Sequence, residues 1–163
     1  MRQALACVTP ANIGASFTTN KENTILFRPA PVDGVLLRGI YPVRLQILHL
    51  YVITEDDTGH WSVHTTGYSY DIEGLEGHEV VTYHYDSRPE LDGEPNSYTK
   101  PHLHVRGLNT PLPMGKAHFP TGRISIEEVL LFAIRELGIE VRRPDAVAFL
   151  EQGDAQFQAR RSW

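Results

Sequence analysis

Val43-Arg44-Leu45-Gln46-Ile47-Leu48-His49-Leu50-Tyr51-Val52-Ile53-Thr54 is the stretch on which the fold turns. Val43, Leu45, Ile47, His49, Tyr51 and Ile53 fall on one parity, and Arg44, Gln46, Leu48, Leu50 and Val52 on the other. Successive strand residues point to opposite faces, so both faces of this run are mostly apolar, as in a central strand covered on both sides. On length alone it also fits a helix. Its Val, Ile and Tyr content and the turn Glu55-Asp56-Asp57-Thr58-Gly59 that closes it favour a strand. His60–Tyr70 alternates Trp61, Val63 and Thr65 against Ser62, His64 and Thr66, which predicts the second arm of a hairpin.

Outward from that hairpin, more short strands are expected. Thr24–Arg28 is a β-leaning run closed by Pro29-Ala30-Pro31, and Val35–Tyr41 follows the turn signal Asp33-Gly34. The acidic, Gly-bearing segment Asp71–Gly77 reads as a turn before a strand over His78–Asp86. In that strand Val81, Tyr83 and Tyr85 share one face while Thr82, His84 and Asp86 share the other. Ser87–Lys100 is a long polar connection, and Gly107–Lys116 a Pro- and Gly-bearing one that leads to Ala117-His118-Phe119.

One helix stands out. Ser125 and Glu128 have the spacing of a capping box, and Ile126, Val129, Leu130, Ala133, Ile134 and Leu137 recur at helical period before Gly138. Leu131 and Phe132 widen that stripe and are candidates for a homo-oligomer contact. A shorter helix is expected from about Pro144 to Glu151. Residues 1–23 and 153–163 read as loosely held ends, with a short strand near Leu5–Val8 as the alternative at the N-terminus. The expectation is a single α+β domain over 1–163, mainly an antiparallel β-sheet with one main amphipathic helix, about 125–138, packed on one face.

At 163 residues the chain is long enough for a real core, and 41% hydrophobic with 21% charged residues is ordinary for a globular domain. A formal net charge of −5 argues against a broadly basic nucleic-acid surface, although Arg88, Lys100, Arg106, Lys116 and Arg123 gather around one stretch. The single Cys7 rules out an internal disulfide and a thiolate zinc knuckle. No apolar run approaches the ~20 residues of a membrane span, and no secretory pattern opens the chain, so a cytoplasmic protein without membrane contact is expected.

Chemistry concentrates at Pro101-His102-Leu103-His104-Val105-Arg106-Gly107. On a strand, His102, His104 and Arg106 share a face and Leu103 and Val105 enter the core. If this strand neighbours His78–Asp86, then His84 and Asp86 lie beside the two imidazoles, and His118 joins if the chain folds back after Lys116. Two functional readings fit. Either His102 and His104, with His84 or His118, hold a divalent metal ion, or the histidines act as acid and base without metal while Arg106, Arg88 or Lys100 stabilises an oxyanion. The third reading leaves them as the polar face of an edge strand. His49, His60, His64 and His78 are structural by default, and Tyr83 and Tyr85 belong to the core before they belong to a base-stacking platform.

The run Val81-Thr82-Tyr83-His84-Tyr85-Asp86, the polar loop with Arg88 and Pro89, Pro101-His102-Leu103-His104 and the Ser125-led helix together resemble small bacterial proteins of the TumE-type family. These are regarded as toxins of toxin–antitoxin pairs. The resemblance spans roughly residues 78–140. It implies His84, Asp86, Arg88, His102 and His104 as the functional set, an activity directed at RNA, and an antitoxin protein as partner. The acidic balance departs from small basic ribosome-dependent toxins. The expected function is a small phosphodiester-directed hydrolase, a ribonuclease-like toxin with His84, Asp86, His102, His104 and His118 as catalytic candidates. Arg88, Lys100 and Arg106 are the substrate-binding candidates. The alternative is a non-catalytic module whose cluster, with His102, His104 and His84 as ligands, holds a metal or docks a partner.

Overall fold

A computed structural model describes residues 1–31, 33–87, 100–106 and 117–160. In chain order the described elements are α1 (Arg2–Leu5), β1 (Asn12–Ala15), β2 (Glu22–Arg28), β3 (Val35–Leu37), β4 (Val43–Glu55), β5 (Trp61–Gly74), β6 (Glu79–Asp86), β7 (His102–Val105), β8 (Phe119–Pro120), α2 (Ile126–Glu136) and α3 (Ala146–Arg160). The eight strands form one sheet in the order β1-β2-β4-β5-β6-β7-β8, and every pairing between named strands is antiparallel. β3 joins β4 beside Val43–Leu45, and β2 takes the same edge further along, beside Leu48–Val52. The α+β architecture read from the sequence is the one observed.

Alternation in β4 dictates the core. Val43, Leu45 and Ile47 are buried on one face, together with Tyr68, Tyr70 and Ile72 of β5 and Val81, Tyr83 and Tyr85 of β6. Against them lie Val129, Leu130 and Ala133 of α2 and Ala146 and Leu150 of α3. Burying each large apolar side chain is worth about 1.5–3 kcal/mol, which sets the helix-bearing face of the sheet. The other face carries no helix of the described residues, and Leu48 on it is 40% exposed. β4 is therefore central but covered by helices on one side, where the sequence suggested both.

Ser125 starts α2 as expected. Its Oγ accepts the Glu128 N–H at 2.9 Å and donates to Asp154 of α3 at 2.7 Å. The helix ends at Gly138, whose φ of +63° only glycine adopts easily, and the Ile139 N–H turns back to the Ala133 carbonyl. Gly39 is required for a different reason. A side chain there would meet the backbone of Gly138 and Ile139, where Ile40 and Tyr41 donate to the Gly138 and Leu137 carbonyls.

Several expectations change. Leu5–Val8 forms no strand: α1 ends at Leu5, and Ala4, Leu5, Cys7 and Val8 are buried in the main core, so the N-terminal segment is packed rather than loose. β3 stops at Leu37, short of Tyr41. β5 runs through the acidic segment to Gly74, because Asp71 and Glu73 pair with Gln46 and Arg44 on the helix-free face. α3 passes Glu151 and continues to Arg160, with Gly153 packed against Glu127 of α2. Leu131 is buried in the core and the half-buried Phe132 meets Tyr83 edge-on, so both side chains pack within this chain. No described helix is long and apolar enough to cross a membrane.

Candidate functional site

β6 and β7 are neighbours, and their register sets His84 directly opposite His102 and Thr82 opposite His104. Paired residues in an antiparallel ladder share a face, so all four side chains stand on the helix-free side, with Tyr83 and Leu103 turned to the core. β8 returns antiparallel to β7, with Pro120 beside His102. This brings His118 over the pair: its ring centroid lies 4.7 Å from that of His102 and 4.6 Å from that of His104. The His84 ring stands perpendicular to that of His102 at 5.2 Å.

Hydrogen bonds fix the tautomers. The Nδ1 of His102 lies 2.8 Å from the Lys100 carbonyl, which only accepts, so Nδ1 carries the proton and Nε2 presents a lone pair to the cluster. That Nε2 is 3.1 Å from Nε2 of His104. With His104 neutral, the bond between them requires Nε2–H on His104, which leaves its buried Nδ1 as a bare lone pair; among the described residues Nδ1 finds no hydrogen-bond partner. His102 is only 2% exposed, and His104 is half-buried. Burial is the leading reason that both pKa values fall below the ordinary 6.5, and the neighbouring imidazoles push the same way. The bond to Lys100 opposes the shift at His102, and Glu79 opposes it at His104.

His102, His104 and His118 each offer a ligand atom, and the three atoms lie within 4.8 Å of one another. Nitrogens around a tetrahedral zinc at ~2.05 Å stand about 3.3 Å apart. The Nε2 atoms of His102 and His104 are already close to that; an ion there would replace the hydrogen bond between them, with the His104 proton moving to Nδ1, and small movements of the exposed His118 ring close the rest. The sequence offered His84 or His118 as the third ligand beside His102 and His104; of the two, His118 is the one whose ligand atom lies within 4.8 Å of theirs, and His84 stands beside the triad.

The remaining candidates are arranged differently. Asp86 is half-buried at the end of β6, opposite Gly67 of β5. Lys100 has an exposed side chain, and it is its carbonyl that touches the cluster. Arg106 lies just past β7, where its Nε pairs with Glu79 at 3.0 Å instead of pointing among the imidazoles. Arg88 falls outside the described residues. Of the histidines dismissed from sequence, His60 and His78 are exposed and His64 is bonded to Ser62 at 3.0 Å. His49 is different. It sits on the helix-bearing face in a hydrogen-bonded chain with Tyr70 and Thr65, at the edge of a cleft, and burial lowers its pKa to about 4.

Comparison with protein-family models, with curated proteins and with solved structures finds no match to this chain.

Proposed function

We propose that His102, His104 and His118 form a divalent metal centre and that the protein is a metal-dependent hydrolase of phosphodiesters. The observation that carries the reading is the convergence of three imidazoles, one of them fixed by its bond to the Lys100 carbonyl with a lone pair facing the cluster. A backbone carbonyl holding the distal nitrogen of a histidine is the usual support for a metal ligand. It leaves His102 a neutral acceptor, the state that a metal ligand needs and that a metal-free general base would share. Held by His102, His104 and His118, an ion would leave a position for water, lower that water's pKa and polarise a phosphoryl oxygen. His84, whose ring lies 5.2 Å from that of His102, is the neighbouring imidazole that would serve as the base for such a water.

Phosphodiester is the substrate class because of the resemblance to RNA-directed toxins. An RNase toxin neutralised by an antitoxin remains its most specific form. Metal analysis of protein prepared without a histidine tag should find about one divalent ion per chain. Cleavage of single-stranded RNA should need that ion and should be lost in His102→Ala and His118→Ala. Absence of any bound metal after zinc, manganese or nickel addition sinks the centre. A bound metal with no cleavage of RNA or DNA sinks the hydrolase and leaves a metal-binding module, a reading favoured by the engagement of Arg106 with Glu79.

A further inference from the structure

A second site lies on the opposite face of the sheet from the histidine cluster. There β4 and β5, the start of α2 and the end of α3 enclose a cleft of about 580 Å³, within the ~300–1,000 Å³ typical of small-molecule pockets. Its apolar surface comes from Val63, Phe157 and the stacked Tyr68 and Tyr70 rings, whose centroids are 4.8 Å apart and nearly parallel. Its polar floor is the chain Tyr70–His49–Thr65, with Tyr70 Oη 2.8 Å from His49 Nδ1 and Thr65 Oγ1 3.2 Å from His49 Nε2.

The burial of Tyr70 decides which way the protons run in that chain. A neutral imidazole has one N–H and one lone pair, so only two arrangements are open. If Thr65 donated to His49, the ring would donate to Tyr70, and the Tyr70 O–H, on a residue 1% exposed, would need another acceptor. Leaving it without one costs about 1–3 kcal/mol. The favoured order is therefore Tyr70 O–H to Nδ1 and Nε2–H to Thr65 Oγ1. Thr65 then has its own hydroxyl hydrogen to offer to an acceptor in the cleft. Arg123 and Arg160 line the same space, and among the described residues lining it Glu127 carries the one carboxylate. Arg123 is held by Tyr85, whose hydroxyl it meets at 2.8 Å and whose ring it covers at 4.8 Å.

We infer that this cleft binds a small amphipathic organic anion, a carboxylate on an aromatic or branched apolar body. The apolar part lies against Val63, Phe157 and the tyrosine rings, and the carboxylate accepts from Thr65 and faces the two arginines. The pairing of an oriented hydroxyl donor with two guanidinium groups selects an acceptor-bearing ligand over a neutral alcohol of the same shape. This inference is independent of the metal centre, because the two sites use opposite faces of the strands.

The test compares 4-phenylbutyrate with 4-phenylbutan-1-ol by isothermal titration calorimetry and by amide shift mapping of labelled full-length protein. The butyrate should bind at least about tenfold tighter than the alcohol and shift amides of β5, the start of α2 and the end of α3. Arg160→Gln, at the exposed end of α3, should remove most of that preference while the alcohol binds as before. Thr65→Val should weaken the butyrate alone. Equal affinity for the two probes, no binding of either, or shifts confined to the helix-free face would overturn the inference. So would a preference that survives in Arg160→Gln, a variant whose fold does not depend on the substituted side chain.

Discussion

His49 makes the burial argument quantitative. It lies mid-strand among apolar residues, and burial is the main cause that brings its pKa from 6.5 to about 4, with the Met1 amine adding to the effect. The Tyr70 hydroxyl bonded to it and the hydroxyl of the neighbouring Tyr68 stay neutral, since burial raises the latter to about 12 and the former well above 10. Arg123, Glu127 and His64 line the same cleft. Above about pH 6.5 His49 is neutral in folded and unfolded chains alike and contributes no pH dependence. Below that, the unfolded chain takes up a proton that the folded one refuses, so stability falls with pH until the folded pKa is reached near 4. Between about pH 6.5 and about pH 4.5 linkage gives a loss of roughly 2 kcal/mol from this one residue. Water reaching the cleft reduces the figure, and about 1 kcal/mol is a fair lower bound. His49→Gln keeps a hydrogen-bonding side chain beside Tyr70 and Thr65 but cannot titrate. Urea unfolding followed by far-ultraviolet circular dichroism, run on both proteins across this range, isolates the term as the difference between two profiles. The wild type should lose stability more steeply on acidification. Parallel profiles would refute the burial argument, because the other histidines are common to both chains.

Four further outcomes follow from the geometry. Zinc at about one hundred times its dissociation constant should stabilise the protein by about 2.7 kcal/mol, a melting rise of roughly 5–10 °C, and His118→Ala should abolish the rise; no shift in the wild type counts against the metal centre. Ser125→Ala removes both the α2 cap and the bond to Asp154, so chemical denaturation should show a loss of about 1–2 kcal/mol. Gly39→Ala drives a methyl onto the Gly138 carbonyl and to 2.6 Å from Ile139 Cα, and should cost roughly 2–3 kcal/mol by the same measurement. Leu131→Asp puts an unpaired carboxylate into the core, so a collapse of the folded state is expected; a folded variant of altered mass in size-exclusion light scattering would instead identify Leu131 as an oligomer contact.

The contrast between His84 and His118 shows where sequence reading succeeds and where it stops. Side-chain parity is exact along a strand, so Tyr83 and Tyr85 inward and His84 outward could be read from the alternation, and so could His102 and His104 on a shared face. The capping residue of α2 was legible because its chemistry is local. Asp71 and Glu73 misled because charge in a strand resembles a turn until one knows that the neighbouring face has no helix over it. The full length of α3 was hidden because its apolar positions are sparse, and only Ala146 and Leu150 are buried along fifteen residues. Its stability comes from α2, through Asp154, Glu151 and Gln158, which no local pattern announces.

His118 and His49 mark the same boundary in the functional sites. Parity says which residues share a face, but not which of two histidines a returning strand carries closer to a third. The pairing of Leu103 with Phe119 decides that, and it places His118 over His102 and His104. His49 reads as one more core position in an apolar strand, because Thr65 and Tyr70 meet it from sixteen and twenty-one residues away. The β5 side of that contact depends on the irregularity between Leu50 and Tyr51, where the pairing register shifts so that Tyr51 faces Thr65 while His49 faces Tyr68. A bulge re-aims side chains at the cost of one ladder step. In this sheet that irregularity falls beside the cleft, where it carries the Thr65 hydroxyl to within hydrogen-bonding reach of His49.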